Sequence, residues 1–150
     1  MPDPRTRRKA RESALHFLFG LEFTHYPWEE ALEGFWAMRP ARPGIKHYAT
    51  TLIRGVSACH NVLDEEIARA FEHWAPQRVG RIEWILLRIA LYEIRHVPDV
   101  PRAVAINEAI ELAKAYGADD DAPRFINGVL DRLGRAEAPQ DLPDEELNDL

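Results

Sequence analysis

The sequence predicts an all-α fold of about seven helices. Apolar residues recur at spacings of three and four in nearly every segment between Pro or Gly breaks. No stretch alternates with period two over a strand's length between turn signals. A chain of 150 residues suits one compact domain or two tightly joined half-domains, with enough core to fold without staples.

The elements follow in order. From about Pro4 to Phe23, Ala10, Ala14, Phe17, Leu18 and Leu21 form one helical stripe, so the first helix carries basic residues in its opening turns. A second helix fits Trp28 to Met38, and Arg39-Pro40-Ala41-Arg42-Pro43-Gly44 breaks it. Tyr48, Leu52 and Val56, then Val62, Leu63, Ile67 and Phe71, run toward Trp74 and Pro76 with a slip of period near Asn61, which reads as two helices meeting there or one bent helix. Arg81 to Arg95 is apolar nearly all round, as expected of a central helix enclosed by others. Val97-Pro98-Asp99-Val100-Pro101 ends it, and Pro101 opens the next helix, which stops at Gly117. A last helix begins at about Asp121, a plausible N-cap, with Phe125, Val129 and Leu133 beside Ile126 and Leu130 as its buried rows. Asn107 and Asn127 are expected as polar groups between the last two helices, with Gly128 allowing a close crossing.

Charge is placed unevenly. The net −6 lies wholly in residues 136–150, where Glu137, Asp141, Asp144, Glu145, Glu146 and Asp149 face no base; this acidic tail is expected to be disordered. At the other end Arg5, Arg7, Arg8, Lys9 and Arg11 oppose Asp3 alone. Cations there work against the helix dipole, so local helix stability does not explain them. A solvated, frayed terminus is the plain alternative, and nucleic acid is the functional one. Arg7, Arg8 and Arg11 obey the i, i+3, i+4 rule and are expected to share a face that follows a phosphate path.

Several classes are excluded. The single Cys59 rules out a disulfide framework, the chain opens with charge rather than an apolar leader, and Glu83, Arg88 and Glu93 interrupt the most apolar run, so a cytoplasmic protein with no membrane span is expected. The six histidines show no zinc spacing, and there is no P-loop, G-x-G-x-x-G or G-x-S-x-G. Glu108 and Glu111 lack the Glu-x-x-His partners of a di-iron bundle and read as solvated or locally paired acids. No catalytic residue, metal or cofactor is expected, and so no enzyme.

Three stretches carry a family resemblance. They are Arg7-Arg8-Lys9-Ala10-Arg11-Glu12 with Ala14-Leu15 and Leu18-Phe19; Leu87 to Ile94 with Val100-Pro101 and Val104 to Lys114; and Phe125 to Asp131. Together they resemble the NusB transcription antitermination family over about residues 5–133. The resemblance implies two helical half-domains packed side by side, about 4–76 and 77–135, in one NusB-like bundle. It implies pairing with the small-subunit ribosomal protein that acts as NusE, binding of single-stranded boxA-type RNA from ribosomal leaders, and a place in the antitermination complex of RNA polymerase. RNA contacts would then come from Arg5, Arg7, Arg8, Lys9, Arg11, Arg124 and Phe125, with Asp121 tempering RNA affinity and Phe19 and Glu83 meeting the partner. Read without the family, Phe125 is core by periodicity, Phe19 a buried ring and Glu83 a solvated acid. The chain departs from the pattern at His16, at Phe19 (where a tyrosine is common) and in the Asp121-Ala122-Pro123-Arg124 loop. Two other readings stay open: a homodimer that masks the basic helix, and an RNA-recruitment module of a ribosomal-RNA-modifying system.

Overall fold

The computed structural model describes residues 3–71 and 79–133, which are helical and contain no strand. Six helices, α1 (Pro4–Leu21), α2 (Trp28–Met38), α3 (Pro43–Ala58), α4 (His60–Arg69), α5 (Arg81–His96) and α6 (Arg102–Tyr116), precede α7 over residues 122–133. The boundary expected near Pro76 and the acidic tail lie outside the described residues.

Local chemistry sets the ends. Asp3 caps α1: its Oδ1 accepts from the Thr6 N–H at 2.7 Å, and that bond holds the Asp3 carboxyl below its ordinary range. Pro4 and Pro43 occupy opening positions of α1 and α3, where a missing N–H costs nothing. α5 stops before Pro98, and α6 stops as the Gly117 N–H donates to the Ala113 carbonyl at 2.8 Å. The period slip is a junction at Cys59, two residues before the expected place, and Val62 beyond it is 61% exposed rather than part of the stripe.

α5 is the centre of the molecule. It packs against α1, α3, α4 and α6, and buries Ile85, Leu86, Leu87, Ile89, Ala90 and Leu91. α1 lies against both α3 and α5, so its buried face is wider than one stripe. Asn107 and Asn127 are exposed, and a Cβ on Gly128 would meet open space. The polar pair between the last helices is therefore not formed, because both asparagines fall on the outer rows. Among the described residues no helix is long and apolar enough to cross a membrane.

One glycine is required by close approach. A Cβ on Gly55 of α3 would sit inside the Tyr92 ring of α5. Gly55→Ala is expected to lose about 1–3 kcal/mol by overpacking, measured by chemical denaturation. Unchanged stability would mean that Tyr92 swings aside without cost.

Candidate nucleic-acid interface

The basic end of α1 divides into two faces. Arg5 and Lys9 stand exposed, and the Arg8 side chain is 64% exposed. These three lie at i, i+3 and i+4, so the outward row is Arg5, Arg8 and Lys9. Arg7 and Arg11 occupy the opposite row and turn inward. The expectation that Arg7, Arg8 and Arg11 share one solvent face is thus corrected: Arg11 is only 3% exposed, on the row that continues through Leu15 and Leu18.

The inward arginines meet a buried polar network. Arg11 Nε donates to both oxygens of Glu93 on α5, at 3.0 and 2.9 Å, and its Nη1 lies 3.5 Å from Glu108 on α6. The Tyr48 hydroxyl of α3 donates to Glu93 Oε2 at 2.5 Å. Burial pushes the Glu93 carboxyl above its ordinary range, and the Arg11 charge beside it opposes that shift. Burial and the adjacent Glu93 likewise push the Tyr48 phenol upward. Arg7 is half-buried, its guanidinium 4.4 Å over the Tyr48 ring centroid and 2.8 Å from Asp99. Tyr48, Glu93 and Asp99 were not singled out for this role from sequence. Glu93 was visible as a charge inside the apolar run of α5, but nothing local names its counterpart.

The outward row is also partly answered. Arg8 forks Glu108, with Nε–Oε1 at 3.0 Å and Nη2–Oε2 at 2.7 Å, and that pairing holds the Glu108 carboxyl below its ordinary range. Glu108 is therefore an interhelix partner rather than a solvated acid, while Glu111 pairs locally with Lys114 at 3.0 Å. A second anchor ties the same helices: the Tyr116 hydroxyl donates to Glu12 at 2.5 Å.

The start of α7 lies at another part of the surface. Asp121 precedes the helix, its carbonyl accepting from the Phe125 N–H at 3.0 Å and its N–H donating to Asp119 Oδ1 at 2.9 Å. Arg124 is exposed. Phe125 is half-buried, 5.6 Å from the Phe71 ring, and it lines two cavities that also share Asp121.

Phe19 and Glu83 differ in kind. Phe19 is half-buried near the end of α1, with the Phe23 ring against it at 5.3 Å, and Phe23 is 73% exposed. Glu22 beside them reaches Arg81 at 3.1 Å and Arg88 at 3.5 Å, so the end of α1 lies along α5. Glu83 is 4% exposed and points inward, accepting from the Ala118 N–H at 2.9 Å. It is neither a solvated acid nor a surface group offered to a partner in this conformation.

Comparison with known proteins gives one result. Residues 8–135 match the NusB family model. The chain is 40% identical to the transcription antitermination protein NusB of Nitratidesulfovibrio vulgaris over 147 residues, covering 87% of this chain and 88% of that one. It is 41% identical to the NusB of Salinispora arenicola over 129 residues, covering 85% and 93%. T. maritima NusB superposes with a TM-score of 0.81 at 34% identity, covering 94% of this chain and 97% of that one. One chain of the crystal structure of antitermination factors NusB and NusE in complex with double-stranded RNA shares the fold, with a TM-score of 0.79 at 22% identity over 89% of this chain and 99% of that one. With residues 8–135 matched by the family model and 85–94% of the chain covered by these relatives, the chain belongs to the NusB family.

Proposed function

We propose that this chain is a cytoplasmic, non-catalytic transcription antitermination factor. It pairs with the ribosomal protein that acts as NusE, binds boxA-type RNA, and so joins the antitermination complex of RNA polymerase. The observation that carries this reading is the outward row Arg5, Arg8 and Lys9, set where cations oppose their own helix, on a chain whose net charge of −6 would otherwise repel RNA. Arg124 and Phe125 supply a second contact region, phosphate to the first and a base face to the second. Asp121 next to them places a negative charge that tempers RNA affinity. The names of the relatives support antitermination, and a protein of the same fold has been solved with NusE and RNA.

The test is a salt-dependent titration of single-stranded boxA-like RNA, with a scrambled strand and a duplex as contrasts, with and without the partner. Three phosphate contacts by the outward row and one by Arg124 give a slope of log affinity against log salt near about −3, at roughly 0.7 per contact. Salt-independent binding, or a preference for the duplex over the strand, would count against the proposal.

The partner meets the Phe19 end of α1, where two aromatic rings sit at the surface. Phe19→Asp is expected to keep the helical content and to abolish co-purification with the partner. If the variant unfolds instead, Phe19 serves the core alone.

A further inference from the structure

Glu83 sits in the first turn of α5 with its carboxylate inside the protein. Oε2 takes the Ala118 N–H, and Oε1 has no hydrogen-bond partner. Two glycines make room for it. A Cβ on Gly80 would overlap Oε1, and one on Gly117 would lie 3.2 Å from Oε2 while striking the Ala113 carbonyl and the Ala122 methyl. A buried, half-satisfied carboxylate is costly, and an apolar side chain would fill the same space more cheaply. Its one bond joins the start of α5 to the loop between α6 and α7. That loop sets where α7 begins, and hence where Asp121, Arg124 and Phe125 stand. Glu83, Asp121 and Phe125 line one cavity of about 200 Å³, so the carboxylate and the ring share a wall.

We infer that Glu83 is a positioning residue for the α7 contact region: by holding the Ala118 N–H it fixes the loop that presents Phe125 and Arg124, and so sets how well the chain distinguishes one RNA sequence from another. The inference rests on the RNA reading above. Its effect travels through Phe125 and through the Arg124 phosphate contact, and needs no contact between Glu83 and the partner. Glu83→Gln keeps an acceptor oxygen for Ala118, whereas Glu83→Ala does not. Gly80→Ala keeps the acid but drives its Oε1 aside, at a backbone φ of −68° that alanine adopts freely.

The experiment measures affinity for matched and scrambled boxA-like strands, with melting temperature and salt slope, for the wild type and these variants. Base stacking on an aromatic ring is worth about 1–3 kcal/mol, so Phe125→Ala has roughly a 5- to 150-fold affinity to lose, of which only a few-fold is preference between strands, and Glu83→Ala is expected to lose part of both. The salt slope falls by no more than the one Arg124 contact, about 0.7. Glu83→Gln restores the preference, Gly80→Ala reduces it in a folded protein, and Glu83→Ala adds nothing once Phe125 is alanine, as coupled residues require. Gly80→Ala carries the test if Glu83→Ala does not fold. An unchanged preference in both Glu83→Ala and Gly80→Ala, additive losses with Phe125→Ala, or a loss seen only when the partner is present would overturn the inference alone. A wild type that prefers neither strand would overturn the RNA reading with it.

Discussion

Arg11→Ala is expected to destabilise the fold by about 3–5 kcal/mol at neutral pH, because it strands Glu93 as a buried charge. For a domain of this size that lowers the melting temperature by on the order of 10 °C. The loss should depend on pH with a definite sign. Burial already raises the Glu93 carboxyl, and Arg11 is the main charge opposing that rise. Without Arg11 the folded-state value climbs further above the unfolded value near 4.5. The folded state then holds a proton that the unfolded state has released, so stability falls as pH rises through that window and recovers on acidification toward it. Arg11→Met with Glu93→Gln removes both charges while leaving an acceptor for the Tyr48 hydroxyl, and should regain most of the loss. A single Arg11→Ala variant that melts like the wild type, with no pH dependence, would show that Glu93 reaches water.

The helix boundaries were legible in sequence because they are forced locally. The Pro and Gly cluster at 39–44, the pair Pro98 and Pro101, and Gly117 each remove or redirect a backbone bond whatever surrounds them. The sides on which charges lie were not legible. Arg11 and Glu93 are 82 positions apart and Arg8 and Glu108 are 100 apart, so no local window contains a pair. Arg11 could have been suspected from its row with Leu15 and Leu18, which periodicity marks as inward. Glu83 misleads for the same reason: an acid near a helix start suits the dipole and reads as solvated, and the returning α6–α7 loop that bonds it is 35 positions away. The resemblance points to an RNA region on α1 but could not divide that helix into two faces, because family pattern and basic character are shared by inward and outward arginines alike.

That division makes the second large prediction specific. Replacing Arg5, Arg8 and Lys9 together by alanine removes the outward row and leaves Arg7 and Arg11 in their contacts with Asp99, Tyr48 and Glu93. Three contacts at roughly 0.7 each reduce the salt slope by about 2 and weaken binding at 0.1 M salt by about a hundredfold. Phosphate contacts carry little sequence information, so matched and scrambled strands should lose alike. Melting should move little, because Arg5 and Lys9 are exposed and the Arg8 end of its pair with Glu108 is open to water, which holds such a pair to about 1 kcal/mol. The same pair gives a variant of opposite sign. Arg8 must exchange the Glu108 carboxylate for a phosphate on binding, so Glu108→Gln should tighten RNA binding by up to about fivefold, the most an exposed pair holds back. Arg7→Ala supplies the contrast: it acts mainly on stability, through Asp99 and the Tyr48 ring, with a smaller change in slope than Arg8→Ala. A triple variant that stays folded, still pairs with the partner and binds boxA-like RNA with the wild-type affinity and slope would leave the outward row as solvated charge.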